Sequence, residues 1–178
     1  VRWKRELPGH GHATPVIWGD RIFLTAAIPY GEFVEPAPER APGAHDNSPV
    51  TQHHKFVVLA VNRSDGRILW QQAVRDELPH EGGHRSGSLA SNSPVTDGEH
   101  VFAFFGSRGL YCLSVTGDLR WQVNLGPMQS LHGHGEGSSP ALHGDTLIIN
   151  WDHEGQSVVY AFDKRTGEQR WRAERDEV

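Results

Sequence analysis

The stretch Ala161-Phe-Asp-Lys-Arg-Thr-Gly-Glu-Gln-Arg-Trp171 decides the fold of this protein. It contains a short apolar run, a turn that ends in glycine, and a second run that ends in tryptophan. Two earlier stretches repeat it: Ala60-Val-Asn-Arg-Ser-Asp-Gly-Arg-Ile-Leu-Trp70 and, one residue shorter, Leu113-Ser-Val-Thr-Gly-Asp-Leu-Arg-Trp121. In each copy the tryptophan follows the glycine by four residues. Strand-forming runs around glycine turns indicate β-hairpins, and the fixed offset indicates a repeat protein.

A second motif precedes each hairpin. It is a Ser/Thr-Pro pair with a glycine four residues after the proline, and it occurs at Thr14-Pro15, Ser93-Pro94 and Ser139-Pro140. A short apolar run follows each glycine. Each repeat therefore predicts four strands, A to D, in which strand A carries the Ser/Thr-Pro pair and strand D carries the tryptophan. The tryptophans are 51 and 50 residues apart, a spacing typical of four-stranded propeller blades.

The predicted fold class is all-β, a β-propeller of four-stranded antiparallel blades. The blades are expected at about 13–72, 92–123 and 138–173, with a long insertion between strands B and C of the first blade at 29–54. Residues 1–5 are expected to form the outer strand of another blade. Because propellers close with about four to eight blades, we expect one domain, 1–178, to contribute three blades to a larger ring of about eight.

Strand alternation predicts which loops share a face. In an A-B-C-D blade the A–B and C–D turns lie at one end, and the B–C loops and D–A connections lie at the other. The second end receives every long loop, and with them most histidines: His10, His12, His45, His53, His54, His80, His84, His132, His134 and His153. Since binding residues concentrate on loops of a rigid scaffold, this end is the predicted binding face.

Composition limits the classes of function. The net charge of -5 gives no basic field for nucleic acid, and no apolar run is long enough to span a membrane. One cysteine, Cys112, excludes an intrachain disulfide, and its apolar strand predicts a small buried side chain. No nucleophile elbow or phosphate-binding loop is present, so no catalytic residue is predicted.

The candidate binding residues are polar or aromatic side chains of the long loops: His84, Arg85, His132, His134, Glu136, Trp151, Asp152 and His153. Two His-x-His pairs are candidate metal ligands, His10 with His12 and His132 with His134, because alternate residues of an extended chain point the same way. Two alternatives stay open: the loop side chains could bond only their own backbone, and Trp151 could stack on a planar ligand or pack at the rim. The structural residues are predicted to be Trp70, Trp121 and Trp171 with Gly66, Gly117 and Gly167.

The repeat resembles the tryptophan-docking motif of the PQQ-like, or quinoprotein-type, β-propeller family of bacteria. The residues that carry the resemblance are Ala161-x-Asp163-x-x-Thr166-Gly167-x-x-x-Trp171 and Ser138-Ser-Pro-Ala-Leu-His-Gly-Asp-Thr-Leu147. The resemblance implies that each tryptophan packs against the neighbouring blade. The middle copy departs from the motif through Ser114 and a one-residue deletion, so its turn is expected to be tighter.

The resemblance implies two classes of function. One is a non-catalytic scaffold that binds proteins or a small polar ligand, similar to the lipoprotein of the outer-membrane assembly machinery. The other is a dehydrogenase of alcohols or sugars that uses pyrroloquinoline quinone with calcium, and a metal-dependent enzyme on the histidine-rich face is a further alternative. The chain lacks the adjacent cysteines found beside the quinone in many such enzymes, which favours the scaffold. The family setting implies a periplasmic or cell-surface location.

Overall fold

A computed structural model describes residues 1–36, 43 and 45–176. Within these residues the chain forms three four-stranded antiparallel sheets in sequence order, which agrees with the predicted all-β fold class. The strands are β1 (Val16–Trp18), β2 (Arg21–Tyr30), β3 (Asn47–Ser48), β4 (His53–Asn62), β5 (Ile68–Glu77), β6 (Gly83–His84), β7 (Val95–Thr96), β8 (His100–Phe104), β9 (Leu110–Ser114), β10 (Leu119–Val123), β11 (Ala141–His143), β12 (Thr146–Trp151), β13 (Ser157–Asp163) and β14 (Gln169–Arg175).

Each sheet has the strand order A-B-C-D. The first sheet is β1-β2-β4-β5, the second β7-β8-β9-β10 and the third β11-β12-β13-β14. The short strands β3 and β6 form a separate antiparallel pair. A single 3-10 turn, Gly106–Arg108, connects β8 to β9.

Apolar side chains fill the spaces between successive sheets. Phe23, Phe56 and Val58 of the first sheet pack with Val101 and Leu113 of the second. On the opposite face of the second sheet, alternate residues pack against the third sheet, among them Phe102, Leu110, Cys112, Leu147 and Ile149. Because successive strand residues point to opposite faces, the middle sheet is buried on both sides.

Tryptophans join each sheet to the next. Trp70 Nε1 donates to Val115 O at 3.0 Å, and Trp121 Nε1 donates to Lys164 O at 3.0 Å. The rings lie on Gly117 and Gly167, where a Cβ would stand 2.8 and 2.7 Å from the indole. Trp3 makes the same contacts with Gly66 and Arg63 O. The indole combines a large apolar surface with one donor, so it both packs and fixes the direction of the contact.

The Ser/Thr-Pro motifs form a second connection between sheets. Thr14 N donates to Ser93 Oγ at 2.8 Å, and Ser93 N donates to Ser139 Oγ at 2.9 Å. Each serine hydroxyl thus satisfies a backbone donor of the preceding sheet. The hydroxyl is the reason that serine precedes proline at these positions.

The structure bears on two details of the sequence expectation. Residues 1–7 pair with no strand in the part of the chain that the structure describes, so the outer strand of another blade at 1–5 stays a prediction. The insertion expected at 29–54 is shorter, because β2 and β4 pair as far as Tyr30 and His53. Contacts of Tyr30 support this extension: its hydroxyl donates to Asp76 Oδ1 at 2.6 Å, and the Lys55 ammonium lies 4.8 Å from its ring. The insertion therefore runs over 31–52.

Candidate functional site

The long loops meet at one end of the three sheets, which we call the loop face. It comprises the insertion 31–52, the connections 78–94 and 124–140, and the loop 152–156. Strand β3 of the insertion pairs with β6 of the first connection. Asn47 Nδ2 then donates to His132 O at 2.8 Å, and His84 N donates to His134 O at 3.1 Å. Hydrogen bonds of the backbone and of the Asn47 side chain therefore hold three loops together.

Four imidazole rings gather where these loops meet. His134 lies 5.0 Å from His45, 5.3 Å from His84 and 5.5 Å from His132, measured between ring centroids. Three of these residues, His84, His132 and His134, were candidates from sequence. His45 was not singled out, because no spacing within the insertion predicts that it folds back over the connection 124–140. We call these four residues the histidine cluster.

The other His-x-His pair lies elsewhere. His10 pairs through its backbone with Ala27, at 2.9 Å in both directions, and His12 N donates to Ala90 O and to Ser88 Oγ. The structure therefore does not bring His10 and His12 to His132 and His134. Within the residues that the structure describes, no three His, Cys, Asp or Glu side chains are already placed to hold a metal ion.

Glu136 is part of a buried ionic network. Its carboxylate is 7% exposed, accepts from Ser107 N at 2.6 Å and Ser107 Oγ at 2.5 Å, and lies 3.0 Å from Arg108 Nη1. Arg108 is 3% exposed and also donates to Glu81 O. Glu136 therefore fixes the connection 124–140 to the 3-10 turn.

Arg85 is exposed and belongs to the same meeting of loops. Its guanidinium lies 3.3 Å from Asp46 Oδ1, and its backbone N donates to Asp46 O at 2.8 Å. It is the neighbour of His84 and holds the insertion against the first connection.

An open cavity of about 250 Å³ lies between the connection 124–140 and the loop 152–156. The predicted residues Glu136, Asp152 and His153 line it, together with Glu154 and Ser157. Asp152 Oδ2 accepts from Asn150 Nδ2 at 2.6 Å and pairs with Arg175. Its buried Oδ1 accepts no hydrogen bond from the part of the chain that the structure describes. The predicted binding set is thus divided between this cavity and the histidine cluster.

Trp151 is placed in the core. It is 3% exposed and packs on Phe104, 6.1 Å between ring centroids, with His153 at its edge. The sequence left open whether Trp151 stacks on a planar ligand or packs at the rim, and the structure places its ring among core side chains rather than at the rim.

The quinone cofactor implied by the resemblance does not fit the residues described. Cys112 is fully buried in β9, and burial raises the pKa of its thiol to about 12. Trp151 has no free face for a planar ring, and the carboxylates of Asp152 and Glu136 are paired with Arg175 and Arg108. No step of catalysis through a quinone follows from these side chains.

A family model described as outer membrane protein assembly factor BamB (PQQ_2) matches residues 54–178. The chain belongs to this PQQ_2 family. The match begins in β4 and includes the second and third sheets, so it covers most of the repeat. No curated protein sequence matches the chain.

Solved structures similar to this PQQ_2 chain include propeller enzymes. A europium-containing methanol dehydrogenase is 16% identical with a TM-score of 0.56, over 95% of this chain and 25% of the enzyme. A quinohemoprotein alcohol dehydrogenase from Comamonas testosteroni is 17% identical with a TM-score of 0.60, over 94% and 21%. BamB from Moraxella catarrhalis is 14% identical with a TM-score of 0.41, over 84% and 50%. The two dehydrogenases establish a shared β-propeller fold, and the chain spans about a quarter or less of their length.

Proposed function

We propose that this chain is part of a non-catalytic propeller that binds another protein through its loop face. The observation that carries the proposal is how the polar side chains of that face are used. Glu136, Arg108 and Arg85 bond to neighbouring loops, so they build a fixed surface from three separate segments. A preorganised surface lowers the cost of ordering loops on binding.

Apolar side chains project from the same loops. Phe33 of the insertion is 78% exposed and Leu131 of the connection 124–140 is 53% exposed. Exposed apolar and aromatic side chains framed by polar residues are typical of protein-binding surfaces. They support a protein partner over a small polar ligand.

The family description also supports a protein partner, since it names a factor in the assembly of outer membrane proteins. We extend that description to a periplasmic or cell-surface location for this chain. In the part of the chain that the structure describes, no helix has the length and apolar character needed to cross a bilayer.

Site-specific photo-crosslinking tests this function. A photoreactive phenylalanine analogue would replace Leu131 on the loop face of the full-length protein, and Trp18 at the end of β1 would be the matched control. Trp18 is 54% exposed and lies at the opposite end of the sheets. We expect one discrete protein adduct from position 131 and not from position 18. The adduct protein, once purified, is expected to bind the full-length protein and to lose affinity for Leu131→Asp and Phe33→Asp variants.

The enzymatic alternatives have a separate readout. The full-length protein would be incubated with pyrroloquinoline quinone and calcium, quinone binding followed optically, and alcohol and sugar oxidation followed with a dye acceptor. Stoichiometric quinone binding with turnover would overturn the proposal that the protein is non-catalytic. Equal crosslinking from positions 131 and 18 would overturn the assignment of protein binding to the loop face.

A further inference from the structure

The histidine cluster joins three separate segments of the loop face. His45 comes from the insertion, His84 from β6, and His134 from the connection 124–140. Their ring centroids are separated by 5.0 Å (His45–His134), 5.3 Å (His84–His134) and 6.2 Å (His45–His84), and the ring planes are inclined by 89°, 76° and 74°. Three imidazoles therefore surround one point, each from a different loop.

These separations suit a shared transition-metal ion. A tetrahedral zinc site has nitrogen at about 2.0–2.1 Å, which places each ring centroid about 3 Å from the ion and neighbouring centroids about 5 Å apart. The observed triangle is close to that size. Because the ring nitrogens are not yet gathered around an ion, binding requires the rings to turn about their side-chain torsions. The backbone of two of them is already fixed, since His84 N donates to His134 O.

A hydrogen bond orients one of the rings for coordination. His45 Nδ1 lies 3.1 Å from Gly43 O. Since a carbonyl only accepts, Nδ1 carries the proton and leaves the lone pair on Nε2. Metal-binding histidines commonly have such an outer partner on the second nitrogen, which fixes the tautomer. His84 Nδ1 instead accepts from Ser86 N at 3.2 Å. Coordination through His84 Nε2 therefore requires that hydrogen bond to break and the proton to move to Nδ1, where Ser86 Oγ, 2.7 Å away, can accept it.

The charge beside the cluster is compatible with a bound cation. The nearby Arg85 is balanced by its ion pair with Asp46.

We propose that His45, His84 and His134 form a binding site for a divalent transition-metal ion such as Zn²⁺. The ion fastens the insertion 31–52 to the connections 78–94 and 124–140. Exposure of His45 and His134 to solvent gives it a route of entry. This site is independent of the protein-binding function proposed above. Compared with the metal ligands predicted from sequence, it adds His45 and His84 and does not include His10 and His12.

Calorimetric titration of the untagged, EDTA-treated full-length protein with Zn²⁺ tests the site. We expect the parent to bind one Zn²⁺ at this site. His134→Gln and His45→Gln are each expected to weaken that binding at least about tenfold, because the loss of a ligand costs more affinity than the loss of its outer hydrogen-bond partner. The control variants are His143→Gln, at the opposite end of the sheets, and the double variant His10→Gln/His12→Gln. Both are expected to bind Zn²⁺ as the parent does.

A second measurement separates coordination from a folding defect. When Zn²⁺ is added to the parent, hydrogen exchange is expected to slow in residues 45–52, 83–87 and 130–137. In His134→Gln the exchange rates of these segments are expected to stay unchanged. The far-ultraviolet circular dichroism spectrum of this variant in EDTA must match that of the parent, which shows that it folds. Absence of a Zn²⁺ site that depends on His45 and His134 would overturn the proposal. Loss of that Zn²⁺ binding in the His10→Gln/His12→Gln variant would overturn it as well.

Discussion

The indole of Trp70 packs on Gly117 in the next sheet, not on Gly66, which precedes it by four residues in its own repeat. A Cβ on Gly117 would lie 2.8 Å from Trp70 Cδ2, and the indole Nε1 bonds to Val115 O. The motif thus has two halves that serve different interfaces. Trp70 and Trp121 each contact the following sheet, and the glycines Gly66, Gly117 and Gly167 receive Trp3, Trp70 and Trp121 respectively.

Substitution of Gly117 by alanine should destabilise the protein through two effects. Gly117 has φ of 99°, a conformation that costs an alanine about 1–2 kcal/mol. The new methyl group would also overlap Trp70, which adds about 1–3 kcal/mol of overpacking. Chemical denaturation measures the sum.

Gly126→Ala provides the matched control. Gly126 has a similar φ of 95°, but a Cβ there would meet nothing within 4 Å. This variant should lose only the backbone contribution. Equal losses of unfolding free energy in the two variants would mean that Trp70 moves away from the added methyl group without loss of stability.

Asp97 should give the protein a stability that disappears in acid. Burial alone would raise its pKa, but hydrogen bonds from His100 N and Glu99 N and the ammonium of Lys164, 3.0 Å away, lower the pKa from 3.8 to about 2. Since the folded-state pKa lies below the unfolded one, the contribution is complete above about pH 4 and is lost as the pH falls toward 2. By linkage it amounts to about 2 kcal/mol.

The measurement compares the free energy of unfolding of the parent and Asp97→Asn from pH 7 to pH 2. The difference is expected to be largest at neutral pH and to shrink below pH 4. Asp145→Asn is the control, because Asp145 pairs with the same Lys164 from a more exposed position. A difference that persists unchanged at pH 2 would contradict the assignment to the Asp97 carboxylate.

The Arg108–Glu136 pair should be far more sensitive than the Arg85–Asp46 pair. Removing one partner of a buried pair leaves an uncompensated charge and costs about 3 kcal/mol or more, whereas an exposed pair contributes about 1 kcal/mol or less. Glu136→Gln is therefore expected to destabilise strongly, and Arg85→Met weakly. Thermal melts give both values, and faster hydrogen exchange of residues 126–137 in Glu136→Gln alone would locate the effect. Similar losses of stability in the two variants would show that burial of the Arg108–Glu136 pair does not increase its contribution to stability.

The all-β fold, the four strands of each repeat and the end of the sheets to which the long loops go could all be predicted from the sequence. These features depend on alternation and turn chemistry over a few residues, which a repeat records several times. The outer strand expected at residues 1–5 stays a prediction, because a strand requires a partner and the described residues contain none for it.

Which residues come into contact depends on the tertiary structure. Trp70 and Val115 are 45 residues apart, and Trp121 and Lys164 are 43 apart, so their pairing depends on how twisted sheets stack. The same holds on the loop face. His45 joins His134 and Trp151 turns into the core because loop closure and side-chain burial are settled by the neighbouring sheets, and no local periodicity encodes either.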